Sequence, residues 1–224
     1  MTAFFTDRRQ AGQQLAAKLL RYKTENPVVL AIPRGGVPVG LEVANTLAAP
    51  LDLVLVRKIG VSFQPELAAG AVVDGEHTET VWNRDILEAL DVTEDFFRSE
   101  VARQLEEIER RRKAYLGSRR RPRIAGCTAI IVDDGIATGA TIRAAVIAVR
   151  RNAPKRLILA VPVAPPDAVE SLRKDVDELI CLEVPKEFHA IGEFYVDFAQ
   201  LEDADVVDLM ARVLEPAATV APKA

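Results

Sequence analysis

Short, mostly apolar segments alternate along the chain with longer segments in which apolar residues recur every three or four positions. The apolar segments predict buried β-strands at about 28–32, 51–56, 129–132, 156–163 and 178–184. The recurring patterns predict helices at about 7–22, 37–47, 142–149, 167–174 and 203–214. Regular alternation of strand and helix is typical of a mostly parallel sheet with helices on both faces. The predicted fold is therefore a doubly wound α/β domain.

This alternation breaks between residues 61 and 123. Two short segments, 67–73 and 78–82, predict a hairpin around Asp74-Gly75. A capping-box pattern at Asp91 and Glu94 predicts that a long helix begins there and ends near Leu116. We interpret the region as an insertion. It either lies over the sheet, where it could form a lid on a site, or carries a dimer contact.

Composition narrows the class of protein. The 224 residues are 49% hydrophobic, enough for one well-filled core, and the net charge of −4 gives no general attraction to nucleic acids or anionic membranes. Only Cys127 and Cys181 are present, without metal-ligand spacing, which fits a reducing compartment. The first residues do not resemble an apolar signal segment, and no stretch is long enough to cross a bilayer. We therefore expect a cytoplasmic protein without a membrane partner.

The most informative segment begins at the strand 129–132 and continues through Asp133 and Asp134 into a small-residue loop that opens a helix. Such a loop presents unpaired backbone N–H groups and the positive end of the helix dipole to one small volume, where a phosphate fits. The two carboxylates can accept hydrogen bonds from a sugar diol. The sequence therefore predicts a ribose-5-phosphate site, whose loop contacts are Gly135, Ala137, Thr138, Gly139, Ala140 and Thr141.

Two further motifs follow predicted strands. Arg34, Gly35 and Gly36 follow the strand 28–32, where glycines allow close approach of a ligand and the guanidinium suits a phosphate. Arg57 and Lys58 follow the strand 51–56, and because side chains alternate along a strand, only one of the two is expected to reach the site. Ligands of α/β sheets bind at the carboxyl ends of the strands. We therefore expect all three motifs to converge.

The run from Asp133 to Thr141 closely resembles the binding motif of the type I phosphoribosyltransferases, which use 5-phosphoribosyl-1-pyrophosphate (PRPP). The resemblance implies Mg²⁺-dependent transfer to a nitrogen acceptor, such as a nucleobase or related heterocycle, with release of pyrophosphate. It places Asp133 and Asp134 on the ribose diol and the metal, and Arg34 with Arg57 or Lys58 on the leaving group. The catalytic set is then Arg34, Lys58, Asp133 and Asp134, with Gly35 and Gly36 binding substrate. A non-proline cis peptide is implied at Pro33–Arg34.

A weaker resemblance lies near the C-terminus. The segment 185–197 is similar to the hood of the hypoxanthine–guanine enzymes, which implies that Phe188 stacks on the base and that Asp197 meets the metal. Two positions depart from those enzymes: Ala137 replaces an acid of the loop, and 161–163 lacks a lysine that reads a 6-oxopurine. A standard 6-oxopurine substrate is therefore not favoured, and the acceptor stays open.

Across nearly its whole length the chain resembles a bacterial branch of phosphoribosyltransferases without an assigned acceptor. The resemblance implies a homodimer and a role in nucleotide metabolism, such as purine or pyrimidine salvage. The same resemblance, with the predicted elements, suggests how the chain is organised. We expect one domain over 1–214, with its core at about 1–60 and 124–184, the insertion at 61–123, a hood at 185–214 and a flexible tail at 215–224.

Two alternatives use the same residues. The first is an ordinary strand–loop–helix unit whose acids are merely solvated. The second is a PRPP-sensing regulator, in which a cluster of eight cations contacts nucleic acid or the protein binds a protein partner. A solvated helix end also explains that cluster, and no aromatic residues interleave with it, so nucleic acid is the less favoured partner. The cluster comprises Arg110–Lys113, Arg119–Arg121 and Arg123.

Overall fold

The computed structural model describes residues 4–61, 64–74 and 78–213. Its strands are β1 (Pro27–Ala31), β2 (Leu51–Leu53), β3 (Val56–Val61), β4 (Gln64–Val73), β5 (Glu79–Trp82), β6 (Thr128–Val132), β7 (Arg156–Val163) and β8 (Glu178–Glu183). Its helices are α1 (Arg8–Leu19), α2 (Gly36–Leu47), α3 (Arg84–Ala89), α4 (Arg98–Leu116), α5 (Ala140–Arg151), α6 (Pro166–Leu172) and α7 (Asp203–Ala211). The main sheet is parallel in the order β2-β1-β6-β7-β8, and β3-β4-β5 form a smaller antiparallel sheet.

The inner strands β1, β6 and β7 of the main sheet are buried on both faces, as their apolar sequences predict, whereas most of the edge strand β8 is partly exposed. On β1, Val29 and Ala31 belong to one hydrophobic cluster with α1, α2, α4 and α7, whereas Val28 and Leu30 belong to a second cluster with α5 and α6. The doubly wound prediction is therefore confirmed. From β1 the sheet continues to β2 on one side and to β6 on the other, so the strand order reverses between β1 and β6. Ligands of such sheets bind at the carboxyl ends of the strands at this point.

The segment 51–56 is not one strand, and this prediction was wrong. The amide of Val54 donates to Ala31 in the main sheet (2.9 Å), but Leu55 already accepts from Asp74 of the small sheet (2.8 Å). From Val56 onward the chain pairs antiparallel with β4. Arg57 and Lys58 therefore lie within β3 and do not follow a strand of the main sheet.

The insertion is part sheet and part helix. β4 and β5 pair antiparallel, with Ala71 opposite Val81, which confirms the hairpin; residues 75–77 lie outside the described ranges. The predicted start of the long helix was wrong, because Asp91 has a φ of 50° and α4 begins only at Arg98, after a 3-10 turn. Its predicted end at Leu116 is confirmed.

The remaining helices lie close to their predicted positions. Asp7 caps α1 by accepting a hydrogen bond from the amide of Gln10 (2.7 Å). Glu202 and Asp205 form a capping box at the start of α7. Within the described ranges, none of the helices has the length and apolarity that a membrane crossing requires. The predicted tail at 215–224 falls outside those ranges.

Candidate functional site

The two motifs at the reversal point of the sheet are in direct contact. A Cβ at Gly35 would overlap the carboxylate Oδ2 of Asp134, and one at Gly36 would lie 2.7 Å from the carbonyl of Val132. Only glycine permits this approach between the loop after β1 and the acids after β6. The structure thus brings the two predicted motifs together, and the peptide bond between Pro33 and Arg34 is cis, as expected.

The acid pair combines a half-buried carboxylate with a buried one. Asp133 is partly accessible, and its Oδ1 accepts the amide of Asp134 (2.9 Å). Burial, together with the neighbouring charge of Asp134, raises the pKa of Asp133 well above its usual range. Burial also raises the pKa of Asp134, an effect that the hydrogen bond and charge of Arg8 oppose. Keeping both carboxylates charged is therefore costly in the ligand-free protein, and a cation or hydroxyl donor bound here would stabilise the charged pair.

Arg8 is a site residue that the sequence analysis missed. Its Nε donates to Oδ2 of Asp134 (2.7 Å), its Nη1 donates to the carbonyl of Ala199 (2.9 Å), and its guanidinium lies 3.8 Å from the ring centroid of Phe198. The side chains of the ion pair are only 12% and 11% exposed. Arg8 therefore joins the N-terminus of α1, the acid pair and the C-terminal segment.

The loop after the acids leaves several backbone donors without protein acceptors among the described residues. Gly139 has a φ of +77°, which favours glycine, and it directly precedes α5. Within the part of the chain that is described, the backbone amides of Ala137, Thr138 and Gly139 donate to no protein acceptor. The first amides of α5, from Ala140 and Thr141, lack intrahelical partners by position. This loop therefore offers donors to an anion.

Arg57 and Lys58 separate, as side-chain alternation predicts. Arg57 points toward α4, where its Nε donates to Gln104 (2.8 Å), and burial lowers its pKa. Lys58 lines a cavity of about 620 Å³ together with Thr138, Ala140 and Trp82. Lys58, and not Arg57, therefore shares a space with the phosphate loop.

Arg34 lies between the loop after β1 and the start of α7. Its Nη1 is 3.5 Å from Glu202 and 3.7 Å from Asp203, and the side chain is about one-third exposed. Asp203 also accepts from Tyr115 (2.5 Å) and Arg110 (3.1 Å), both on α4. The guanidinium of Arg34 therefore lies near two acids but remains partly accessible to a ligand.

The N- and C-terminal segments cover the site together. The amides of Phe4 and Phe5 donate to Phe194 (both 3.0 Å), and the hydroxyl of Tyr195 donates to the carbonyl of Asp134 (2.6 Å). Phe188, predicted to stack on a base, is partly buried and stacks on Phe194 at 5.2 Å. The structure places Phe188 in this aromatic cluster and does not test its predicted role.

The expected set of three metal-binding carboxylates is not formed. No group of three His, Cys, Asp or Glu side chains placed to hold a metal ion occurs in residues 4–61, 64–74 and 78–213. Asp197 is exposed, and its carboxylate accepts the amide of Ala199 (3.0 Å). The side chain that contacts Asp134 is the guanidinium of Arg8, which also donates to the carbonyl of Ala199.

Half of the basic cluster forms ion pairs within the protein. Arg110 and Arg111 pair with Glu107, and Arg112 and Arg121 pair with the buried Asp74. Four of its eight cations therefore have intramolecular partners, which reduces the charge left for a nucleic acid.

Comparison with known proteins gives consistent results. A family model described as Phosphoribosyl transferase domain matches residues 6–199. Two curated proteins of Mycobacterium tuberculosis, named Putative phosphoribosyl transferase MT0597 and Putative phosphoribosyl transferase Rv0571c, are each 43% identical over 208 residues, covering 93% of this chain and 46% of the relative. The chain thus spans about half the length of these relatives. The crystal structure of TT1426 from Thermus thermophilus has 40% identity and a TM-score of 0.81, covering 94% of this chain and 99% of that one.

Proposed function

The chain belongs to the family of phosphoribosyl transferase domains, and we propose that it transfers the 5-phosphoribosyl group of PRPP to a nitrogen acceptor with release of pyrophosphate. The observation that carries this proposal is the contact of Gly35 with Asp134 at the point where the strand order reverses. This contact supports a single binding volume, to which we assign the loop after β1 for pyrophosphate, the acid pair for ribose and the loop before α5 for the 5-phosphate.

Each part has a role in holding PRPP. The free amides of the loop 137–141 bind the 5-phosphate at the N-terminus of α5. Asp133 and Asp134 accept hydrogen bonds from the 2- and 3-hydroxyls. Arg34 and the amide of Gly35 bind the pyrophosphate, and Gly36, whose amide donates to the carbonyl of Ile32 (3.0 Å), allows its close approach. Lys58, on the small sheet, adds positive charge to the site. PRPP then replaces Glu202 and Asp203 as the partner of Arg34.

In the reaction, the bond between C1 and the pyrophosphate oxygen breaks, the acceptor nitrogen forms a bond to C1, and the acceptor loses its N–H proton. Positive charge develops on the ribose ring and negative charge on pyrophosphate. The chain therefore needs to fix the ring and neutralise the leaving group, which the acid pair, Arg34 and Lys58 do.

The donor set also fits Mg²⁺ bound mainly through substrate. Asp133 has a partly accessible carboxylate without a cation partner among the described residues, and Mg²⁺ usually takes one or two carboxylates together with phosphate oxygens and water. Asp133, with Asp134 beside it, would hold the ion, which would stabilise charge on the pyrophosphate as a Lewis acid. Homodimerisation, a cytoplasmic location and a part in nucleobase salvage belong to the same proposal.

The test is pyrophosphate release from PRPP with Mg²⁺, measured across purines, pyrimidines and other nitrogen heterocycles. Release that depends on one acceptor supports the transferase and identifies the substrate. Asp133→Asn combined with Asp134→Asn serves as the blank. Binding of PRPP without release in the presence of any acceptor would contradict the transferase and favour the PRPP-sensing regulator.

PRPP binding is measured separately by thermal shift. A ligand at about 100 times its Kd adds roughly 2.7 kcal/mol to stability, which for a domain of this size is about 5–10 °C in Tm. The double variant should lose this shift, whereas Asp197→Asn, outside the acid pair, should keep it. A full shift in the double variant would show that the ribose binds elsewhere.

A further inference from the structure

A second cavity, of about 550 Å³, lies against the edge strand β2 and is lined by none of the residues that we assign to PRPP. One wall is apolar and includes Leu30, Val54 and Val149. The polar lining residues include the acids Asp52 and Asp74 and the basic residues Arg121 and Arg123. Small-molecule sites typically have volumes of about 300–1,000 Å³ and this mixture of walls.

Asp52 occupies a position where an apolar residue would be expected. It lies between Leu51 and Leu53, which belong to the core on the α1 and α2 side of the sheet, so its side chain faces the opposite side. On that side the neighbouring strand contributes Val28 and Leu30 to the second core cluster. Asp52 is nevertheless a carboxylate that is only 7% exposed.

The two acids of the cavity differ in their partners. Asp74, 6% exposed, is held by Arg112 at 2.6 Å and by Arg121. Asp52 has no lysine, arginine or histidine nitrogen within 4.0 Å and receives no side-chain hydrogen bond in the described ranges. One buried carboxylate is therefore paired with cations of the protein and the other is not.

Several groups act on Asp52 from the surrounding elements. Burial raises its pKa, and the charge of Asp74 adds to this effect. The backbone amide of Leu53 and the more distant charges of Arg112 and Arg121 oppose it. Burying a charged group without a counterion costs free energy, so this position weakens the ligand-free fold. An external cation would remove that cost.

We propose that this cavity binds a small organic cation, an amine or a guanidine, whose charged group pairs with Asp52. The wall formed by Leu30, Val54 and Val149 would contact the hydrocarbon part of the ligand. A metal ion is a poorer fit, because the described residues contain no group of three suitable ligands. This inference goes beyond the transferase activity and does not depend on it.

The test is a thermal-shift series on the full chain at pH 7.5 with agmatine, putrescine and spermidine, and with succinate as an anion. At saturation, at least one amine should raise Tm by several degrees, and succinate should not. Asp52→Asn, which keeps the shape but removes the charge, should abolish the shift. The Asp133→Asn, Asp134→Asn double variant should retain it, so the outcome is independent of PRPP binding.

Ligand-free stability provides a second measurement. Because the folded-state pKa of Asp52 is raised, the folded state holds its proton more tightly than the unfolded chain, and Asp52 destabilises the fold increasingly as pH rises above the unfolded pKa. Asp52→Asn should therefore raise Tm at pH 7.5, with the gain shrinking toward pH 4. Asp74→Asn should lower Tm, because it removes the partner of Arg112 and Arg121.

Three results would overturn the proposal. The first is the absence of a shift with all three amines. The second is a shift of equal size in Asp52→Asn. The third is a lower Tm of ligand-free Asp52→Asn at pH 7.5, which would mean that the protein itself satisfies the carboxylate.

Discussion

Arg8 provides the sharpest test of how the site is built, because its neighbour in sequence is a natural control. Arg8 pairs with Asp134 at 2.7 Å with both side chains almost buried. Arg9 pairs with Glu42 at 3.0 Å, but its side chain is 72% exposed. Replacing each arginine by methionine keeps the apolar stem and removes the charge and the donors.

The expected losses differ severalfold. Breaking a buried pair by removing one partner costs about 3–5 kcal/mol, whereas an exposed pair is worth about 0–1 kcal/mol. Since 1 kcal/mol shifts Tm by about 2–4 °C in a domain of this size, Arg8→Met should lower Tm by roughly 6–20 °C. Arg9→Met should lower it by less than about 4 °C.

The loss in Arg8→Met should also depend on pH. Burial raises the pKa of Asp134, and without Arg8 its folded-state value lies further above the unfolded value of about 3.9. The folded variant is then stabilised by protonation, and this stability is lost as pH rises through the folded-state pKa. The Tm gap to the unmodified protein should therefore widen from pH 5 to pH 8.

Thermal unfolding of both variants at several pH values, followed by circular dichroism, measures these differences. Adding Asp134→Asn to Arg8→Met should recover part of the loss, because no buried charge is then left unpaired. Equal Tm values for Arg8→Met and Arg9→Met, or a gap that is the same at pH 5 and pH 8, would refute the reasoning.

Two further pairs of variants test the loop and the small sheet. Gly35→Ala should abolish the PRPP thermal shift because its Cβ overlaps Asp134, whereas Gly60→Ala, with no heavy atom within 4 Å of the added Cβ, should keep it; equal shifts would contradict the close approach. Lys58→Ala should lower kcat for pyrophosphate release with little change in Tm, and Arg57→Ala should chiefly lower Tm because it loses Gln104. A larger kcat loss in Arg57→Ala would reverse the two roles.

The parts of the site that the sequence predicted are those whose chemistry is local. The loop at Gly35 and the acids at Asp133 and Asp134 each follow a fully buried strand, and the parallel sheet brings their strand ends together. Arg8 lies 126 residues from its partner Asp134, and no local pattern links them. Its contact depends on how the first and last segments of the chain close over the sheet.

The two wrong predictions of secondary structure also reflect contacts that are not local in sequence. The residues 51–56 are uniformly apolar apart from Asp52, so composition could not show that the hydrogen-bond partner changes at Leu55. The pattern at Asp91 and Glu94 was suited to a helix start, but the backbone of Asp91 adopts a positive φ after α3. In both cases the outcome depends on the neighbouring segment and not on the local sequence.

The same contacts bear on the choice of acceptor. In hypoxanthine–guanine enzymes, which the C-terminal segment resembles, a lysine after the corresponding strand reads the 6-oxo group; here Val163 is buried at the end of β7. A Cβ at Gly135 would lie 2.7 Å from Ile191 and 3.1 Å from Val163, so apolar side chains press on the loop beside the acid pair. The nearby guanidinium of Arg8 already donates to Asp134 and Ala199. We therefore predict that selection among acceptors rests on shape against this apolar wall, since residues 161–163 supply no lysine to read a 6-oxopurine.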